Sequence, residues 1–141
     1  MDFQEKVLKL NPFHLPSRFI LSKSLLKSSQ TSQSLKMIEP LEIEPSFKKE
    51  WIQIFTQSIY QKGEQSKAIE MLKAYENRNF ELNLILSKML INTKKDLDLA
   101  KLILEKSCNN NAKLSNLDQA ECKQLKSQLL IAFKSKQAKA N

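Results

Sequence analysis

The side chains that could do chemistry are few and far apart. His14 is the only histidine among 141 residues, and Cys108 and Cys122 are the only cysteines. His14 stands between Phe13 and Leu15 with no carboxylate or cysteine near it in sequence. Nucleophile–base pairs built on two such partners therefore have no material here, and an ordinary packed or surface histidine is expected. The cysteines lack the close spacing of a zinc or redox motif. They are expected as small apolar core residues, with a disulfide left open. A chain with one glycine has no phosphate-cradling glycine loop. Its acids are scattered near helix starts, where the macrodipole favours them, rather than paired. No enzymatic activity, metal or cofactor is expected.

Lysine is what remains. A formal net charge of +8 admits nucleic acid, an anionic membrane or an acidic protein as partner. Arg18 and Arg78 are the only arginines, so the rigid fork that favours bidentate phosphate and base-edge recognition is nearly missing. Residues 108–141 hold six lysines against two acids, half of the net charge. Lys123, Lys126, Lys134, Lys136 and Lys139 are the candidate phosphate contacts, against the simpler reading of a solvated helix face. No aromatic is interleaved with them, which argues against base-specific RNA reading. No run approaches the ~18 apolar residues of a membrane span, and there is no secretory apolar segment. The expected compartment is intracellular and reducing, cytoplasmic, with mitochondrial as the alternative.

The elements that must position these residues read as helices. With one glycine and four prolines, the turn residues an all-β fold needs are scarce. Residues 1–45 form a basic, serine-rich extension without any acid from Lys6 to Ile38. Its composition resembles a mitochondrial transit peptide, against which stand Asp2, Glu5 and the scarcity of arginine. One helix is expected over about 17–28, with Phe19, Ile20, Leu25 and Leu26 as its apolar residues. A linker follows over 30–45, closed by Pro40 and Pro45.

From Ser46, an N-cap candidate, Phe47, Trp51, Ile54, Phe55 and Ile59 recur at threes and fours and define a helix that Gly63 ends. A second helix is expected from about Glu64 to Glu76, with Ala68, Leu72 and Tyr75 inward. The third, Phe80 to Asn92 with Asn79 as cap, is apolar nearly all round and so is expected to be buried on more than one side. Thr93 to Asp96 reads as a capping box for a fourth helix carrying Leu97, Ala100, Ile103 and Leu104. Asn109 to Asn111 is loop. Ser115 to Asp118 opens a last helix to about Lys134, with Cys122, Leu125, Leu129 and Phe133 in register. The tail beyond is expected to fray.

Shifting the chain by 32 residues lays Ala68 on Ala100, Leu72 on Leu104 and Ile59 on Ile91. The first unit, through Ile52, Phe55, Ile59, Tyr60, Gly63, Ala68, Ile69, Glu70 and Leu72, resembles a tetratricopeptide repeat. A second unit at roughly 79–107 resembles it more weakly, without the turn glycine and with Lys88 where the family prefers a small residue. The resemblance implies an all-α chain: a short right-handed α-solenoid of two antiparallel helix hairpins over 46–137 with a C-terminal capping helix, and a frayed tail at 138–141. It further implies a partner-binding groove on the first helices, at Gln53, Gln57, Tyr60, Leu82, Ile85 and Met89. The lysine–asparagine clamp for a C-terminal carboxylate is absent. The apolar floor at Leu82, Ile85 and Met89 must be covered, either by the helix Phe19–Leu26 or by a partner's helix. The expected function is a non-enzymatic protein–protein interaction scaffold, a small subunit or adaptor of a larger assembly. The alternative is a basic RNA- or ribosome-contacting organellar protein.

Overall fold

The computed structural model describes residues 5–6, 15–38, 48–109 and 113–140. Among the described residues there is no strand, and seven helices carry the chain: α1 Leu15–Lys27, α2 Thr31–Ile38, α3 Lys48–Gln61, α4 Gln65–Ala74, α5 Phe80–Thr93, α6 Leu97–Cys108 and α7 Asn116–Ala140. They fall into two compact units, Met1–Ala74 and Tyr75–Asn141. The boundary at 74/75 differs from the division expected at 45/46: α1 and α2 belong to the same unit as α3 and α4.

In the N-terminal unit α1 packs on α2 and α3, α2 on α3, and α3 on α4. The face that α1 buries is Ser17, Phe19, Ser22 and Leu26, whereas Ile20 is half exposed. Small side chains sit where the helices cross. Ser22, Ser34 and Ser58, one each from α1, α2 and α3, are wholly buried. The Ser22 hydroxyl is placed to donate to the Ser34 carbonyl at 3.0 Å and the Ser34 hydroxyl to the Ser22 carbonyl at 2.9 Å. The two hydroxyl oxygens lie 2.9 Å apart, and Ser58 Oγ is 3.4 Å from Ser34 Oγ. Such a hub lets the helices approach closely without leaving a buried polar atom unpaired.

The helix α2 occupies the segment expected to be linker. It buries Ser34, Leu35 and Ile38, and its last carbonyls find partners on both neighbours. Arg18 Nε donates to the Met37 carbonyl at 2.9 Å, and the Trp51 indole to that of Ile38 at 3.0 Å. A short helix of eight residues is marginal by itself; these partners and the serine hub hold it. The Trp51 ring, buried in the core, stacks on Phe55 with centroids 4.7 Å apart.

In the C-terminal unit α5 packs on α6, α6 on α7, and α7 also on α5. The α5 helix buries two stripes, Leu82, Leu86 and Met89 on one and Leu84, Ser87 and Ile91 on another, as its all-round apolar pattern predicts. The Asn79 side chain caps it by accepting from the Leu82 amide at 2.9 Å. The cap of α6 is Asp96, accepting from the Leu99 amide at 3.3 Å, whereas the Thr93 hydroxyl turns back to the Met89 carbonyl. The expected box thus resolves into one cap and one residue inside α5. Ser115 Oγ accepts from the Asp118 amide at 3.1 Å at the start of α7. That helix runs on to Ala140 instead of ending near Lys134, in keeping with the high helix propensity of its lysines, glutamine and alanines.

Three helices end in the same way. Ser29, Gly63 and Lys94 adopt left-handed conformations, with φ of 64°, 109° and 55°. The amide after each returns to the carbonyl five residues back: Gln30 to Leu25, Glu64 to Ile59 and Lys95 to Leu90, at 2.8, 2.9 and 3.1 Å. The amides of Ser29, Gly63 and Lys94 bond three residues back, to Leu26, Tyr60 and Ile91. These are the paired bonds of the Schellman motif. Seven residues before each turn stands a wholly buried small polar residue, Ser22, Thr56 or Ser87; shortly after it, as the fourth residue of the next helix, comes wholly buried Ser34, Ala68 or Ala100. Each of the first three positions is followed 34 residues later by its counterpart, and then after 31, 31 and 32 residues by the third. The small residue of α5 is accordingly Ser87 and not Lys88, which is exposed. The uniform 32-residue shift misplaced it because one more residue lies between Lys94 and α6 than between Gly63 and α4.

Ser46, Phe47, His14, Pro40, Pro45 and Asn110–Asn111, where a cap, helix breaks, a loop and a packed or surface histidine are expected, lie outside the described residues.

Candidate functional site

The six residues expected to line a groove divide between the units. Gln53, Gln57 and Tyr60 lie on α3, all half-buried, while Leu82, Ile85 and Met89 lie on α5. Leu82 and Met89 are 1% and 4% exposed, so the expected apolar floor is already covered and offers no open stripe. Ile85 is half-buried.

The lysines fare differently. Lys123, Lys126, Lys134 and Lys136 are exposed along α7, and the side chain of Lys139 lies outside the described residues. Lys123, Lys126 and Lys134 share one flank with Leu130, at intervals of three, four and four. Glu121 falls on the opposite flank, by the 3.6-residue period. Lys136 is turned away from that flank by the same period. None of Lys123, Lys126, Lys134 or Lys136 is held in an ion pair among the described residues.

Beside this flank runs an open groove between α6 and α7. At one end a cleft of about 360 Å³ is lined by Lys101, Leu104 and Glu105 from α6 and by Lys126, Leu129, Leu130 and Phe133 from α7. Toward the other end a second hollow, of about 630 Å³, shares Lys126 and Leu130 and reaches Cys108, Gln119, Cys122 and Lys123. Leu104 and Leu129 form a buried floor, with Phe133 half-buried beside them. Leu130 stands 57% exposed at the edge. Among the described residues of the lining, Glu105 is the only acid against Lys101, Lys123 and Lys126.

A disulfide between Cys108 and Cys122 fixes the far end, with Cα atoms 6.0 Å apart. Both cysteines are buried, as expected of core residues, but they are bonded to each other. The bond ties the end of α6 to the second turn of α7 and so holds the groove walls at a set separation. The sequence reading missed this groove. The signal was present in Lys123, Lys126, Leu130 and Lys134, whose spacing puts an aliphatic side chain amid the lysines.

No cluster of three or more histidine, cysteine or acidic side chains suited to a metal is present among the described residues, and no described helix is long and apolar enough to cross a membrane. No protein-family model, curated protein or solved structure matches the chain.

Proposed function

We propose that the chain is a non-enzymatic interaction scaffold of the tetratricopeptide-like kind, a small subunit or adaptor within a larger protein assembly. The observation that carries this reading is the register of small buried residues and left-handed turns at Ser22–Ser29–Ser34, Thr56–Gly63–Ala68 and Ser87–Lys94–Ala100. The first interval of 34 residues is the period of that repeat family. On this reading the helix pairs number three, α1–α2 included, where two hairpins were expected from sequence. They would follow one another as antiparallel hairpins of a short right-handed α-solenoid, with α7 as the capping helix. Three units is the number such folds need for stability.

A repeat of this kind supplies surfaces rather than reacting groups, and the chemistry-poor composition is in keeping with that. The alternative, a basic RNA- or ribosome-contacting organellar protein, draws on the lysine flank of α7 and the net charge of +8. Size-exclusion of native lysate, following the chain at its natural abundance with and without ribonuclease, tests the two. The scaffold reading expects migration well above 16.3 kDa, unchanged by ribonuclease. Migration as a free monomer contradicts it, and a ribonuclease-dependent shift supports the RNA reading.

A further inference from the structure

We propose that the groove between α6 and α7 receives an acidic, amphipathic α-helix of a partner protein. This deepens the scaffold reading and rests on it. The floor is apolar at Leu104, Leu129 and Phe133, and Leu130 projects beside it at 57% exposure. Lys101 stands on one wall and Lys123 and Lys126 on the other, opposed by a single Glu105. From Gln119 to Phe133 the α7 wall is roughly 20 Å long at the helical rise per residue, room for about four turns of a docked helix.

A helix with leucines at i, i+3, i+4 and i+7 would lay its apolar stripe on the floor. Acids on its two flanks would meet the lysines of both walls, giving the charge complementarity that fixes partner and register. The shape argues against a flat surface: Leu104 and Leu129, at 1% and 6% exposure, lie at the bottom of a hollow that a plane would not fill. It argues against RNA as well, for the lining has no arginine fork and its one aromatic, Phe133, is half sunk in the floor; stacking platforms need an accessible ring. Leu102, Leu117 and Ile131 are also exposed, but they lie outside both hollows.

The test uses the full, oxidised chain and a labelled synthetic helix of roughly four turns carrying that leucine stripe with glutamate on both flanks. Its counterparts are the same stripe with lysine flanks and a scrambled glutamate peptide. Fluorescence anisotropy should show the glutamate helix binding at least about tenfold more tightly than either counterpart, and weakening several-fold between about 50 and about 300 mM salt. Leu130→Gln, at an exposed position, should lose about tenfold in affinity with an unchanged melting curve. The double change Lys123→Glu and Lys126→Glu should turn the preference toward the lysine helix.

Equal binding of the three peptides, or indifference to Leu130→Gln, overturns the proposal. So does binding of phosphatidylserine vesicles or oligouridine in place of the peptide, or self-association abolished by Leu130→Gln, which would assign the groove to a membrane, RNA or a second copy. If the lysate assembly persists with Leu130→Gln and the peptide does not bind, the groove assignment fails while the scaffold reading stands. If the peptide binds but the chain migrates alone, the reverse holds.

Discussion

The two compact units solve the same packing problem with different chemistry. Where α1 meets α2, the N-terminal unit uses two serines whose hydroxyls and carbonyls satisfy each other at 2.9–3.0 Å. In the corresponding places the C-terminal unit has Ser87 and Ala100, both wholly buried. Among the described residues the buried Ser87 hydroxyl has no hydrogen-bond partner, and a disulfide is added between α6 and α7. The first helix pair of the N-terminal unit thus adds directional polar contacts, which specify register, whereas its second pair does without them, the Thr56 hydroxyl donating to the Ile52 carbonyl of its own helix opposite Ala68. The C-terminal unit relies on apolar burial and a covalent tie. Small volume is what the positions share; hydrogen bonding is one way to fill them.

The largest expected effect falls on the covalent tie. Cys122→Ser should destabilise the C-terminal unit by about 3 kcal/mol, the loop-entropy value for a ring of this size. Hydrogen exchange should show α5–α7 opening sooner with α1–α4 unchanged; equal loss in both units would break the contrast. Next comes the hub. Ser34→Ala removes a donor and leaves Ser22 short of a partner, at a cost of about 2 kcal/mol, read by denaturant unfolding and confined to α1–α4. The opposite sign is expected for Ser87→Ala. Deleting an unpaired buried hydroxyl should stabilise by about 1 kcal/mol, and a loss of stability there would mean that the hydroxyl does have a partner.

The smallest effects belong to the turns. Lys94→Gly relieves a left-handed residue that bears a side chain and gives up the exposed bond that Lys94 Nζ donates to Ser135 Oγ at 2.9 Å, for a net gain of about 0.5 kcal/mol. Gly63→Ala should lose about 1 kcal/mol, although a methyl group there would meet no atom within 4 Å. Melting temperatures of the two variants, moving apart in these directions, would show that backbone strain and not contact decides them.

The helices α3 to α6 were legible because their apolar residues recur at threes and fours over a dozen residues. Leu97, Ala100, Ile103 and Leu104, named from spacing alone, are all buried. The helix α2 was not legible, since in Thr31–Ile38 only Ser34, Leu35 and Ile38 are buried and a serine does not announce burial. The left-handed turns at Ser29 and Lys94 escaped for a related reason: glycine marks such a position, serine and lysine do not. The pairing of Cys108 with Cys122 has no local signature at a separation of 14 residues; it depends on how α6 and α7 lie together. On α5 the spacing marked Leu82, Ile85 and Met89 as a stripe that must be covered; Leu82 and Met89 are buried and Ile85 half-buried.

The turns at Ser29, Gly63 and Lys94 are what make the three helix pairs alike. Solution NMR couplings and carbon shifts at those three residues, together with the shifts of 31–38, measure this directly. Positive φ at all three and helical shifts throughout 31–38 are expected. A negative φ at Ser29 or Lys94, or extended shifts across 31–38, would contradict the common register and the scaffold built on it.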